Sequence, residues 1–287
     1  MSRLLLLSVL LLMLATSAAL AEPASALLKL PSGVTLHYVT QGRADGEPIV
    51  LLHGIGDSWH SYDLVLPHVP ERYRVYAVTM RGHGWSDAPA NGYTQADFAG
   101  DITAFLEALD LKGVTLVGHS LGSFIAQAVA VRDRGRVARL ALIGSGPGGI
   151  GSETVRAEIQ QFVRGVKVPL EASVARDFQA GTVSGPVPAT FLETMFRELM
   201  LAAPQLWPQA AHALYDAGTA AALAKLTIPV LVMWGTKDAM LLRGEQDALV
   251  KVIPGARLLV YEGAGHAVHW DQPERVAKDL VAFAGRD

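Results

Sequence analysis

Val114-Thr115-Leu116-Val117-Gly118-His119-Ser120-Leu121-Gly122-Ser123 decides the fold. Val114 to Val117 is a short, β-branched, apolar run, the pattern of a buried strand. From Leu121 the pattern changes: Phe124, Ile125, Ala128, Val129 and Val131 recur at helical spacing. Between the two lies Gly118-x-Ser120-x-Gly122, a G-x-S-x-G pattern where a strand turns sharply into a helix. Such a turn holds its central residue in a strained backbone conformation, and flanking glycines let the chain double back. Ser120 is therefore expected at the strand tip, over the first amides of the helix. An ordinary Gly/Ser loop does not explain a glycine on each side of the serine at this junction.

Outward from the turn, the chain alternates strands and helices. Pro48-Ile49-Val50-Leu51-Leu52 is a continuous apolar run, as expected of a central strand buried on both faces, and it ends in His53-Gly54-Ile55-Gly56-Asp57-Ser58-Trp59. Residues 73–78 read as another buried strand, ending at Arg81-Gly82-His83-Gly84-Trp85-Ser86. Two earlier strands meet at the turn signal Pro31-Ser32-Gly33. Residues 97–109 carry Phe98, Ile102, Phe105, Leu106 and Leu109 on one helical face. Further strands are expected at 137–143, 228–233 and 257–261, and Asp271-Gln272-Pro273-Glu274 reads as a capped helix start. This order predicts an α/β fold, a mostly parallel central sheet with helices on both faces. Between 152 and 225 the pattern is helical and broken by prolines, the mark of an inserted lid. The division expected is 1–21 as an address label, 22–151 and 226–287 as two parts of one core, and 152–225 as the lid.

Of 287 residues, 51% are hydrophobic and 18% charged, enough apolar chain for a self-sufficient core. A net charge of −3 with scattered signs points to no nucleic-acid partner and no polybasic membrane surface. The absence of cysteine excludes disulfides, thiolate metal sites and a cysteine nucleophile. Arg3, the leucine-rich run 4–14 and Ala19-Leu20-Ala21 form a secretory signal with an A-x-A site. Cleavage after Ala21 leaves an exported, soluble chain without stable membrane association; the alternative is an uncleaved amino-terminal anchor.

The chain resembles the α/β-hydrolase superfamily from about residue 27 to the end. The resemblance rests on His53-Gly54 after a central strand, on Gly118-His119-Ser120-Leu121-Gly122, on Asp238 in Trp234-Gly235-Thr236-Lys237-Asp238, and on Gly263-Ala264-Gly265-His266 before the last helix. The family order of nucleophile, acid and histidine is met by Ser120, Asp238 and His266. It also implies an oxyanion hole from the amides of Ile55 and Leu121. A serine hydroxyl needs a base that takes its proton during attack, and histidine titrates in the useful range. Among nine histidines, His266 alone sits in a Gly-Ala-Gly-His loop after a strand. His119 reads as a packed support, and His53 and His83 as structural or pocket-lining. A metal pair at His266 and His269 lacks a third ligand nearby in sequence, so no metal or other cofactor is expected. Asp238 follows a buried strand, whereas Asp247 falls on a helix and Asp271 looks like a cap. Arg81 reads as one half of a bracing ion pair.

Family members that open epoxides or remove halogen attack with an aspartate at the elbow, where this chain has Ser120. The expected activity is hydrolysis of a carboxylic ester or lactone of a small, apolar substrate. The alternatives are carbon–carbon bond hydrolysis of ring-cleavage products, a perhydrolase, and a non-catalytic ligand receptor. His53, Gly54, Trp59, Trp85 and His119 are the candidate pocket residues. Most of Phe162, Phe178, Phe191, Met195, Phe196, Met200, Trp207 and Tyr215 are expected to form the lid's own small core, with some facing the cleft.

Overall fold

A computed structural model describes residues 23–285, apart from 134, 166, 168–169 and 216–218. The signal segment 1–21 lies outside the described residues. Eight strands form one sheet: β1 (Ala24–Lys29), β2 (Thr35–Gln41), β3 (Glu47–Leu52), β4 (Tyr73–Val78), β5 (Val114–His119), β6 (Val137–Ile143), β7 (Val230–Gly235) and β8 (Arg257–Tyr261). Their spatial order is β1-β2-β4-β3-β5-β6-β7-β8. β1 and β2 pair antiparallel with their neighbours, and from β4 to β8 every pairing is parallel. β7 begins at Val230 rather than at 228, because Pro229 has no N–H to donate to a ladder; its carbonyl still accepts from Leu140.

Successive strand residues point to opposite faces, so each central strand feeds two cores. Val50, Leu52, Leu116, Leu140 and Val232 belong to one; Ile49, Leu51, Val117, Ala141 and Met233 belong to the other. The first is covered by α1 (Gln95–Ala108) and α2 (Leu121–Arg132), through Phe98, Ile102, Phe105, Phe124 and Val129. α1 starts two residues earlier than its apolar pattern does. Thr94 and Asp97 cap it reciprocally, so Asp97 is the third helical residue rather than the first. The opposite face meets the last helix, Pro273–Ala284, through Val276, Leu280 and Phe283, and a 3₁₀ turn through Tyr62.

Between β6 and β7 run five helices: α3 (Glu153–Gly165), α4 (Ala172–Ala180), α5 (Ala189–Leu201), α6 (Leu206–Tyr215) and α7 (Ala220–Leu223). Phe162 and Phe178, from α3 and α4, stack on each other, and Trp207 of α6 packs edge-on against both, at centroid distances of 5.8–5.9 Å. α8 (Arg243–Val252) follows β7, and a short α9 (Val268–Asp271) precedes the last helix, α10 (Pro273–Ala284). No described helix is long and apolar enough to cross a membrane.

Arg81, after β4, makes a two-pronged ion pair with Asp101 of α1, both contacts 2.5 Å and buried. A third bond, from its Nη1 to the Gly92 carbonyl at 2.7 Å, ties down the loop before the helix. Burying two charges is costly, so removing one partner is far worse than removing both. Arg81→Met should therefore lose about 3–5 kcal/mol of stability in urea titrations, and the double replacement Arg81→Met/Asp101→Leu should recover most of it. Equal losses in the single and double variants would show that the pair braces nothing.

Candidate active site

Ser120 stands at the end of β5 with φ 50° and ψ −119°, in the left-handed half of the backbone map although it is not a glycine. A non-glycine residue held there costs on the order of 1–3 kcal/mol, and its surroundings must enforce it. They do: the Ser120 amide donates to the Ile143 carbonyl at 3.0 Å, fastening the turn to β6. A methyl group on Gly118 would overlap the Gly122 carbonyl, and one on Gly122 would come within 2.5 Å of the Leu52 and His53 carbonyls. Both flanking glycines are therefore required by close backbone approach, with β3 on one side and the first turn of α2 on the other.

His266 comes from the loop after β8. Its Nδ1 lies 2.9 Å from Asp238 Oδ2, and the other carboxylate oxygen accepts the amides of Met240 (2.8 Å) and Leu241 (2.9 Å). With Asp238 fully engaged as an acceptor, the imidazole proton belongs on Nδ1, which leaves Nε2 as the basic atom. That Nε2 is buried and has no hydrogen-bond partner among the described residues. The Lys237 amide donates to the Ala264 carbonyl at 2.9 Å, so the loops carrying the acid and the histidine are stitched together. Gly144, at φ +53°, leaves the room that the imidazole needs: a methyl there would lie 2.8 Å from its ring. Ser120 and His266 border one cavity of about 330 Å³.

The amides of Leu121, first residue of α2, and Ile55 donate to no acceptor among the described residues. Ile55 borders the cavity, and Leu121 adjoins Ser120 at a helix N-terminus, whose dipole favours negative charge. His53 serves that turn from behind. It is buried, its Nδ1 bonds the Gly54 carbonyl (2.7 Å), and its Nε2 accepts the Met80 amide (2.9 Å).

The candidate pocket residues separate. Gly54 and His119 border the cavity; His53 does not. Trp59 and Trp85 face a different, smaller cleft with His37, Thr79 and Glu198, and Trp85 is 73% exposed. Their expected place in the pocket is corrected, because the turns after β3 and β4 carry them past the cavity wall. The wall is supplied instead by Phe162, Phe178 and Trp207, while Phe191 packs edge-on against Trp270.

Asp271 is also corrected. It does not cap α10, whose preceding residue, Gln272, makes no side-chain cap. Its carboxylate accepts the Gly265 amide (2.7 Å) and the amides of Ser184 (3.1 Å) and Gly185 (2.8 Å). It pins the histidine loop to the segment after α4, a bond across 86 residues that no local pattern announces.

Among the cavity residues to which the sequence assigns no role are Asp57 and Gln179. For these two, the one sequence signal is the position of Asp57 in the turn that carries Ile55. Behind the cavity, His119 packs 4.8 Å from the His266 ring and 4.5 Å from that of His269. Burial holds His53 and His119 well below the usual histidine range, and pulls His83 to about 4 and His269 to about 3. Among the described residues, no three histidine, aspartate or glutamate side chains converge as a metal site.

Residues 49–279 match the family model described as the alpha/beta hydrolase family. The chain is 29% identical to a non-heme chloroperoxidase of Streptomyces lividans over 269 residues, covering 88% of this chain and 96% of that one. It is 25% identical to epoxide hydrolase 2 of Caenorhabditis elegans, covering 88% and 78%. A solved esterase from Exiguobacterium antarcticum superposes with a TM-score of 0.82 at 26% identity, covering 91% of this chain and 99% of that one.

The buried histidines give stability a sign with pH. A histidine kept neutral by burial binds fewer protons than it does in the unfolded chain, so its contribution is present above about 6.5 and is lost as pH falls toward its folded value. Asp57 runs the other way: burial pushes its carboxyl up to about 7, so stability is lost as pH rises through that value. The melting temperature should therefore fall steeply from pH 6.5 to 4, and Asp57→Asn should raise it at pH 8 relative to wild type. A Tm that is flat across the acid range would contradict the neutral-histidine assignment.

Proposed function

Because this chain belongs to the alpha/beta hydrolase family, we propose that it is a serine hydrolase that cleaves a carboxylic ester or lactone with a small, largely apolar body. The observation that carries this reading is the strained Ser120 bordering one cavity with the buried, unpaired Nε2 of His266, whose Nδ1 is held by Asp238. Ser120 Oγ attacks the substrate carbonyl while His266 Nε2 takes its proton. Asp238 keeps the imidazole in the required tautomer and stabilises its charged form. The oxyanion of the tetrahedral intermediate is received by the Ile55 and Leu121 amides, each donor of this kind contributing about 2.7–4 kcal/mol in other enzymes. His266 then returns the proton to the departing alkoxide. The resulting acyl-enzyme is hydrolysed by a water that His266 activates in turn.

The serine at the elbow speaks against epoxide opening, for which the resembling members use an aspartate. Likeness to a non-heme chloroperoxidase supports a second reading, in which hydrogen peroxide replaces water on the same acyl-enzyme and releases a peroxy acid. The helices α3–α7 act as the cover of the cavity in both readings. We also propose export, on the strength of the apolar run and A-x-A site before Glu22.

A fluorophosphonate should label the protein once, at Ser120, and not label Ser120→Ala. Turnover of p-nitrophenyl butyrate should fall by about 10⁴-fold or more in Ser120→Ala and His266→Ala. Asp238→Asn should also lose about 10⁴-fold, because an amide cannot hold the same tautomer. Labelling that survives Ser120→Ala overturns the nucleophile. Activity that dialysis against a chelator removes and a divalent ion restores would overturn the metal-free mechanism.

A further inference from the structure

The cavity wall is mostly apolar, and one corner, beside His119, is polar. Asp57, from the turn that carries Ile55, is 3% exposed and borders the cavity; Gln179, from α4, is 2% exposed and borders it too. Gln179 Nε2 donates to Asp57 Oδ1 and to the Met195 carbonyl, both at 3.2 Å. Two acceptors on that side settle which end of the amide is which, since an oxygen there would face two other oxygens. The amide oxygen, Oε1, is left buried with no hydrogen-bond partner among the described residues. A desolvated acceptor without a donor is unfavourable, and in a residue that borders the cavity a ligand's donor can supply the missing bond.

We propose that Asp57 and Gln179 form a polar subsite that accepts a hydrogen bond from the substrate, so that the preferred ester carries a neutral donor, a hydroxyl or amide N–H, on an otherwise apolar body. This rests on the ester-hydrolase reading of the same cavity and adds the substrate class. The corner is rich in acceptors. Besides Gln179 Oε1 it holds the Asp57 carboxyl, whose oxygens accept from Gln179 (Oδ1) and Ser61 (Oδ2), both at 3.2 Å, with the Gly54 backbone as a further partner. Among the described residues no lysine or arginine borders the cavity to receive an anionic substrate, and His119, 3.9 Å from Oδ2, is kept neutral by burial. With Asp57 titrating at about 7, the corner carries a carboxylate above neutrality. Half-esters of dicarboxylic acids are therefore turned away by the same atoms that hold a hydroxyl. Selection of this kind is strong because a substrate without the donor leaves a buried acceptor unpaired.

The test uses matched esters at pH 8 with the full chain. One pair is p-nitrophenyl butyrate and 3-hydroxybutyrate, with the donor on the acyl side. The other is ethyl and 2-hydroxyethyl benzoate, with the donor on the alcohol side. p-Nitrophenyl hemisuccinate supplies the anion. At least one hydroxylated member should exceed its partner in kcat/KM by about 10-fold or more, and the hemisuccinate should fall about 10-fold below the butyrate. Gln179→Met keeps the side-chain length but removes both polar atoms, and should bring the hydroxyl ratio to about one. Asp57→Asn should abolish the discrimination against the hemisuccinate. Circular dichroism establishes that each variant is folded; should one not fold, the wild-type ratios and the other variant decide. Ratios near one for both pairs in the wild type, or a hydroxyl preference that survives Gln179→Met, overturn the subsite while the ester-hydrolase reading stands. If Ser120 is labelled and none of the five esters turns over, both fall together.

Discussion

The backbone of Ser120 is the constraint on which the rest depends. A left-handed conformation at a residue with a side chain is unfavourable alone, and here it is held by three strands at once. β5 delivers the residue, β6 accepts its amide through Ile143, and the carbonyl ends of β3 press so closely on Gly122 that no side chain fits there. The parallel sheet makes this possible, since it brings the carboxyl ends of β3, β5, β6, β7 and β8 to one edge. The crossover helices leave that edge open.

The same edge is organised by carboxylates accepting backbone amides. Asp238 spends one oxygen on His266 and the other on the Met240 and Leu241 amides, so the acid cannot swing away from the imidazole. Asp271 gathers amides of Gly265, Ser184 and Gly185, tying the histidine loop to the covering helices. Gln179 reaches from α4 to Asp57 in the turn that bears Ile55. The covering helices, distant in sequence from Ser120 and His266, thus touch both the histidine loop and the turn that bears Ile55. Movement of α4 is mechanically connected to both.

The charge state behind the cavity follows from burial rather than from pairing. His53, His83, His119 and His269 are all kept neutral by desolvation, and their rings contact one another or His266. A neutral shell of this kind packs like aromatic core and adds no positive charge beside His266. Among the described residues, Asp238 is the one carboxylate hydrogen-bonded directly to the His266 ring.

The sequence by itself determined the sheet and its direction, and it singled out the three residues of the candidate triad. These are written in local signals: apolar runs, a glycine on each side of Ser120, and Gly-Ala-Gly-His after a strand. Gly118, Gly122 and Gly265 are places where two backbones nearly touch, and Gly263 adopts a positive φ, which is why short-range patterns report on the site at all. What only the tertiary structure decided depends on pairs far apart in the chain. Asp271 looked like a helix cap because an acid precedes a proline, yet its partners lie 86 residues away. Trp59 and Trp85 follow the two turns nearest the site in sequence, yet a few residues of turn geometry carry them to another cleft. Asp57 and Gln179 are separated by 122 residues and meet only because α4 folds over the β3 turn. A buried polar contact gains its strength from exclusion of water, and exclusion of water is a property of the assembled fold, not of any stretch of chain.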